Sequence, residues 1–448
     1  MDWSLLWNPV LLSVALLLLL SALRLNVVFS LILASVAGGL LAGMGVSESI
    51  QAFYRGLGGG AGIAMNYAML GAFSIAISRS GMTELLAQKL FEQIGKQVSP
   101  RQVFWFKYSL IGFLTLASIS SQNLIPVHIA FIPILIPPLL PVFERLRLDR
   151  RMVACILTFG LITPYMVLPV GFGKIFINEV VLGSIRKSGM AVTASEAPGA
   201  MLIPALGMVV GLLIAVFFSY RRPRDYNRTV TEREVRETEP VKIERRAVLV
   251  GIVAILIALA GQFLMDSLIV ASVLGVLVFV ISGVFRLSDT QDIFTRGVYL
   301  MGGIGLVMIA ASGFAEVMRA TGGVDAMVEC VARFAGDYRG VTVFLMLFIG
   351  LVITMGIGSS FSTVPLIAAI YVPLCMAMGL SPAATIAIVG SAGALGDAGS
   401  PVSESVLGPT AGLNADGQHD HIYDSVIPTF LHYNLPLLAA GWIAGMVL

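Results

Sequence analysis

Charge is scarce in this sequence. Lys and Arg supply 28 residues and Asp and Glu 26, together 12% of 448 positions, about half the roughly 25% share of a soluble domain. A water-soluble fold of this size would lack the polar side chains to cover its surface, which excludes cytosolic enzymes and nucleic-acid binders. Cysteine is scarce too. Cys155, Cys330 and Cys375 stand far apart in mostly apolar surroundings, with no CxxC spacing and an odd count, so neither a disulfide framework nor a metal knuckle follows. There is no HExxH and no convincing Ser-His pairing. The opening MDWSLLWNPVLLSVALLLLLSALR has the apolar stretch of a signal peptide, but its first residues carry Asp2 and no Lys or Arg. It reads as a first membrane helix.

What the sequence has in abundance is apolar length. Hydrophobic residues make up 57% and the mean hydropathy is +0.91. At about 20 apolar residues per crossing, a dozen crossings consume about 240 residues, which the composition supplies. The chain is read as an all-α polytopic membrane protein with about 10 to 14 membrane segments, multi-pass in the cytoplasmic membrane, with the lipid bilayer as its first partner. The net charge of +2 says little about other partners, because the charges sit in short loops that orient the chain.

Apolar runs fall near 10–23, 25–45, 61–78, 103–141 (broken), 152–170 and 200–219, then near 247–264, 267–285, 298–318, 341–379 (broken), 383–400 and 426–448. Between the two series lies RRPRDYNRTVTEREVRETEPVKIERR, with nine basic and six acidic side chains. Such a segment cannot enter hydrocarbon, and its basic excess places it in the cytoplasm. The expected organisation is a membrane repeat over 1–220, a charged linker over 221–246 and a second membrane repeat over 247–448.

The halves resemble each other. FYRGLGGGAGIAMNYAMLGAFSIAISRSGMTELL from Phe53 lies over FTRGVYLMGGIGLVMIAASGFAEVMRATGGVDAM from Phe294 without a gap, matching Arg55 with Arg296, Gly56 with Gly297, Phe73 with Phe314 and Gly81 with Gly322. With a two-residue gap, SSQNLIP from Ser120 then lies over SSFSTVP from Ser359. Internal repeats are a hallmark of secondary transporters, where one repeat moves against the other. Arg24, the loop from Arg79 to Arg101, the cluster at 144–151 and the linker share the cytoplasmic side if each half has an odd number of crossings. That implies inverted repeats. One pair of loops runs against the charge rule: 171–198 carries Lys174, Arg186 and Lys187 outside, and the acidic 401–425 falls inside. Segments 82–95 and 323–335 alternate apolar and charged faces and read as interfacial amphipathic helices.

Non-helical backbone at membrane depth occurs only where it is buried in protein or lines a cavity, so prolines, glycines and hydroxyls inside apolar runs point to a site. Four clusters qualify, read as broken helices or re-entrant hairpins. One is SISSQNLIPVHIAFIPILIPP, with Ser120, Ser121 and Asn123 before four prolines; the second is TFGLITPYMVLPVGFG, where Thr163 and Pro164 are set to unwind a helix. The third is TMGIGSSFSTVP, with Ser359, Ser360, Ser362 and Thr363. The last is GSAGALGDAGSPVSES, with Gly396, Asp397, Ser400, Ser403 and Glu404. Such oxygen donors and unwound carbonyls suit a hard cation such as Na+. An intramembrane carboxylate, its ionised form disfavoured by desolvation, can exchange a proton for a metal ion. Asp397 fits that role best, and Asp397 with Ser400 is the expected Na+ site. Broken helix ends would equally suit the carboxylate of an organic anion or amino acid.

Plainer readings stand beside these. The hydroxyl clusters could be small-residue helix packing, Asp397 a turn residue among glycines, and Glu404 part of a solvated 401–425 stretch. Glu316 reads as an interfacial residue beside Arg319, and Asn66, His128, His432 and Asn434 as satisfied packing residues. HDHIYD, His419 to Asp424, has ligand-type spacing in a short polar loop. From another class, ALGD at 394–397 approaches the GxGD of intramembrane aspartyl proteases and Tyr423-Asp424 supplies a YD pair. Ala394 replaces the first glycine, however, and the two motifs stand in reverse order.

GDAGSPVSESVLGPTAGLNADGQHDHIYDSVIPTFLHYNLP, with ISSQNLIPVHIAFIPILIPPLL and TPYMVLPVGFG, resembles the NhaC-like sodium/proton antiporter family of the ion-transporter superfamily, in particular its branch of amino-acid permeases assigned by similarity. The resemblance covers nearly the whole chain, and its strongest motif is GDxxSPxS, here Gly396, Asp397, Ser400, Pro401 and Ser403. Where antiporters follow with Asp, this chain has Glu404, which keeps the acid and changes its length. The resemblance implies a cation-coupled carrier with inverted repeats and broken helices, no enzyme activity and no cofactor beyond transported Na+ and H+. The expectation is Na+ for H+ exchange; the alternative is Na+- or H+-driven uptake of an amino acid, histidine-like substrates included. A homodimer is a plausible way to provide a fixed scaffold.

Overall fold

The computed structural model describes residues 7–82, 85, 100–123, 132, 135–226, 244–265, 267–326 and 338–448. Most of the expected amphipathic segments 82–95 and 323–335, most of the proline-rich stretch after Asn123 and the middle of the linker lie outside the described residues. The described chain is helical. In the first half run α1 (Pro9–Ala22), α2 (Val27–Leu41), α3 (Val46–Arg79), α4 (Pro100–Asn123) and α5 (Arg150–Val167). Next comes α6, through Phe172–Lys174, a π-helical Ile175–Val181 and Leu182–Lys187, and then α7 (Leu202–Ser219). The second half holds α8 (Arg245–Met265), α9 (Leu268–Ile281), α10 (Asp289–Ala320), α11 (Arg339–Ile357), α12 (Ser360–Ala377), α13 (Pro382–Ala394), α14 (Glu404–Leu413) and α15 (His421–Val447). Among the described residues, 8 helices are long and apolar enough to cross a membrane, with shorter apolar helices between them. The described chain is all-α and has the helices of a multi-pass membrane protein.

Local chemistry sets the boundaries. Asn8 caps α1 by accepting from the amides of Val10 and Leu11, and Asp149 caps α5 by accepting from Arg151 N. Ser381 with Pro382 opens α13, and Ser403 caps α14. Each satisfies an amide that the first helical turn would otherwise leave unpaired.

The centre of the molecule is the pair α3 and α10. At 34 and 32 residues they run about 50 Å, longer than the roughly 30 Å hydrocarbon core. They pack antiparallel over most of that length. Gly56 lies on Ser312 and Gly313, Gly60 on Met308 and Ile309, Ala64 on Gly305, and Gly71 on Gly297. A Cβ at Gly71 would come within 2.3 Å of the Gly297 carbonyl oxygen, so the backbones touch as small residues allow. These are the two helices that match in sequence, and their contacts are mutual: Gly56 meets Gly313, and the matched residues Gly297 and Ala72 meet each other.

The loops sort to two ends. At one end the α10–α11 turn meets the start of α1, where Asn8 donates to the Gly323 carbonyl, and Ser381 reaches the C-terminal Leu448. The other end gathers Arg24, the 144–151 cluster, the start of the linker and the 414–424 stretch. There Arg24 sits over the Tyr423 ring, and Arg150, with no exposed side-chain surface, donates to both carboxylate oxygens of Asp416 at 2.6 Å. Arg224 pairs with Asp424 at 2.7 Å. The acidic 414–424 stretch therefore shares an end with the basic cluster and pairs with it, which gives a reason for acidic residues on that side.

Candidate functional site

Two interruptions of helical backbone face one another. The first is Gly358, which ends α11 with φ 72°, left-handed backbone that favours glycine. A Cβ there would come 2.9 Å from the Val402 carbonyl oxygen. The second is 395–403, between α13 and α14, which lies along the last turns of α11. Gly396, at φ 88°, presses against Leu351 O and Met355 N, each 2.7 Å from where its Cβ would stand. Ser400 Oγ donates to Met355 O at 2.9 Å, one of the carbonyls that the end of α11 leaves without an intrahelical partner. From α15, at a π-helical turn over Phe430–Asn434, Asn434 accepts from Gly396 N at 3.1 Å and donates to the Ala398 carbonyl. The irregular segment is thus hydrogen-bonded on both sides and can exist away from water.

That segment presents Asp397. Its Oδ1 accepts from Ser403 Oγ at 2.6 Å and its Oδ2 from the Tyr165 hydroxyl at 2.7 Å. The same hydroxyl lies 3.2 Å from Ser360 Oγ at the start of α12. Tyr165 comes from α5, where Pro164 disturbs the helix, and its ring is held edge-on by Phe172 and Phe176. One carboxylate therefore joins α5 of the first half to both interruptions of the second.

Asp397 opens onto a cavity of about 480 Å³ bounded by α3, α5, α8, α9, α10 and the two breaks. Ser359, Ser360, Glu404 and Ser405 line it with Asp397, and Asn66, Tyr67 and Gln262 contribute further polar groups. Glu404, the first residue of α14, is half-buried. Tyr67 is directed toward it, but its hydroxyl meets no hydrogen-bond geometry.

Of the residues expected from the sequence, Asp397, Ser359, Ser360 and Glu404 come together around the cavity, and Ser403 holds Asp397 from within the break. Gly396 and Ser400 shape the break behind them. Thr363 donates to the Ser359 carbonyl within its own helix, and the side chains of Ser362 and Asn123 lie outside the described residues. Ser120 and Ser121 sit at the end of α4 and do not line the cavity; Ser121 Oγ donates to Ser118 O, and Ser118 ties α4 to the Leu157 carbonyl of α5. Thr163 is buried, with an unpaired Oγ1 that is not on the cavity. His419 and His421 of the HDHIYD stretch are bonded to Ser425 and to Pro401 O. Among the described residues no group of three or more His, Cys, Asp or Glu could hold a metal ion. Tyr165, Tyr67 and Gln262 escaped the sequence reading, and Asn66, read as packing, lines the cavity.

The family model for the Na+/H+ antiporter family matches residues 156–442, which hold both interruptions and Asp397. The chain belongs to that family. A second model, also described as a Na+-H+ antiporter family, matches residues 8–94 of this antiporter-family protein. An uncharacterized membrane protein of Vibrio parahaemolyticus is 53% identical over 98% of this chain and 100% of its own length. One of Haemophilus influenzae is 51% identical over 98% and 99%. YuiF of Bacillus subtilis, named as a proposed amino acid transporter, is 44% identical over 98% and 100%. Among solved structures, the Alcanivorax borkumensis YdaH transporter aligns with a TM-score of 0.41 at 14% identity, over 89% of this chain and 88% of that one. Neisseria gonorrhoeae MtrF, from a class described as antimetabolite efflux pumps, aligns at 0.41 and 16%, over 89% and 84%. The protein is a membrane transporter.

Proposed function

We propose that the chain exchanges Na+ for H+ across the cytoplasmic membrane by alternating access, with Asp397 taking the two cations in turn. One observation carries the reading: a buried carboxylate, hydrogen-bonded from both halves of the chain, faces a cavity where two helices are interrupted. An ionised carboxylate only accepts hydrogen bonds, and a protonated one also donates. The Tyr165 hydroxyl serves both states. With Asp397 ionised it donates to Oδ2. With Asp397 protonated it accepts that proton's hydrogen bond and turns its own hydrogen to Ser360 Oγ, 3.2 Å away. Proton loss leaves a carboxylate beside the hydroxyls of Ser359 and Ser360, oxygen donors of the kind Na+ takes.

In this reading the two membrane halves, 1–220 and 247–448 around the 221–246 linker, are inverted repeats. The antiparallel pairing of α3 with α10 through equivalent residues supports that relation. The chain then acts as a carrier rather than an enzyme. The protease alternative receives no support from Asp424, which is paired with Arg224 and does not line the cavity.

A second reading, ion-driven amino-acid uptake, is favoured by the volume of the cavity. About 480 Å³ far exceeds the roughly 30 Å³ share of a water molecule and leaves room for an organic solute; the name given to YuiF points the same way. Purified protein in proteoliposomes tests both. Exchange requires that an imposed Na+ gradient moves protons, read by an internal pH dye. Accumulation of a labelled amino acid with no proton movement would overturn it.

A further inference from the structure

We propose that the cavity holds a second site, beside Asp397 and centred on Glu404, for the ammonium group of a zwitterionic amino acid with a neutral side chain. Its carboxylate lies at the start of α12. This rests on the reading of the cavity as a transport site and does not require Na+ for H+ exchange.

The lining supplies acceptors in surplus. Beside the Glu404 carboxylate stands the Tyr67 hydroxyl, directed toward it, and Gln262 Oε1 belongs to the same lining with no hydrogen-bond partner of its own; the two side chains are 5% and 8% exposed. They come from α3 and α8, so three separate helices aim polar groups into the same space. An unpaired buried polar group costs about 1–3 kcal/mol, and an ammonium carries three N–H donors for three acceptors. No Lys, Arg or His stands among the described residues that line the cavity. Its two carboxylates therefore have no cation in the lining, and beside Asp397, which takes the coupling cation, Glu404 favours a ligand group that brings positive charge.

An ammonium alone would leave the other end of the cavity unused. There α12, 18 residues long, begins without a side-chain cap: Ser359 has extended backbone at φ −146° and its hydroxyl makes no capping bond. The first amides of such a helix lack intrahelical partners and carry the positive end of its dipole. Ser359 and Ser360 line the same cavity as Glu404. A carboxylate held there and an ammonium held at Glu404 define a zwitterion. The remaining wall sets Ile63, Leu70, Leu268 and Phe361 beside the uncharged Asn66 and Ser267 and offers an acidic side chain no cation, while Asp397 stays free for the coupling cation.

The test is equilibrium binding to the full-length protein in detergent. The probes are the labelled neutral protein L-amino acids, L-glutamate, and the N-acetyl and decarboxylated forms of whichever amino acid binds best. One or more neutral amino acids should bind, L-glutamate should not, and both altered forms should bind at least tenfold more weakly. Glu404→Gln and Tyr67→Phe should each weaken binding tenfold or more. Should Glu404→Gln fail to fold, the ligand series on the unmodified protein decides. Equal binding of the decarboxylated amine, or undiminished binding to Glu404→Gln, would overturn the assignment. So would failure of every amino acid to bind while Na+ alone raises the melting temperature, an outcome that leaves the ion-exchange reading standing. Amino-acid binding without any proton movement in liposomes would do the reverse.

Discussion

The Tyr165 hydroxyl donates to Asp397 Oδ2 over 2.7 Å, so a phenol from the first half of the chain sits on the central carboxylate of the second. Hydrogen bonds to charged groups contribute about 1.5–3 kcal/mol. Tyr165→Phe should therefore raise the Na+ concentration for half-maximal exchange by about tenfold or more, with the protein still folded. An unchanged Na+ dependence would remove Tyr165 from the ion site.

Asp397→Asn keeps the shape of the side chain and removes its charge and its capacity to shuttle a proton. Ion coupling should be abolished in proteoliposomes, while the melting temperature in detergent stays close to that of the unmodified protein. Retained coupling would move the site elsewhere.

The fully buried Arg150 lies against the Tyr226 ring at 4.3 Å and binds Asp416 with two hydrogen bonds. Removing one partner of such a pair leaves an uncompensated charge, costing about 3–5 kcal/mol, whereas replacing both by apolar groups is often neutral. Arg150→Met should sharply lower thermal stability, and Arg150→Met with Asp416→Leu should recover most of it. A double variant as unstable as the single would show that the end of the bundle depends on the charges themselves.

Gly358→Ala should destabilise the protein through two costs. Left-handed backbone disfavours a Cβ by about 1–2 kcal/mol, and overpacking against Val402 adds about 1–3 kcal/mol. Thermal melting in detergent checks this. Gly43→Ala, at φ 82° with open space around it, should show the first cost without the second.

Burial pushes the His419 imidazole down to about 3. The folded state keeps this ring neutral while the unfolded chain protonates it near pH 6.5. Its contribution to stability is therefore complete above pH 6.5 and is lost as the pH falls toward 3. Stability measured across that window should decline, and His419→Gln should flatten part of the decline. An identical slope in the variant would assign the acid sensitivity to other groups.

The sequence exposed the interruptions around 358–359 and 395–403 because glycine, proline and hydroxyls inside an apolar run are costly unless a cavity needs them, and the structure places four of the marked residues around one space. It hid Tyr165 for a geometric reason. Attention fell on Thr163, beside Pro164, but residues two apart on a helix point to nearly opposite sides; Thr163 faces away from the cavity and Tyr165 faces Asp397. Tyr67 and Gln262 were invisible for a different reason. Each is a lone amphipathic residue on an apolar helix, the pattern of ordinary packing, and only the tertiary arrangement brings them to the cavity. The sequence repeat also suggested that Ser120 and Ser121 would mirror Ser359 and Ser360. Kinship of motifs does not carry position across: one pair lines the cavity and the other ties α4 to itself and sits beside its link to α5.

The close seating of α3 on α10 has a bearing on how the molecule is made. Their glycines come from opposite halves of the chain, and neither face can be covered until both helices are in the bilayer. While synthesis continues, α3 has α2 beside it, where Gly39 meets Ser49, but its groove of small residues still lacks the helix that fills it. Assembly of the central pair is therefore a late step, postponed until α10 has emerged. A truncated first half would insert into the membrane and still lack the partner on which its longest helix closes.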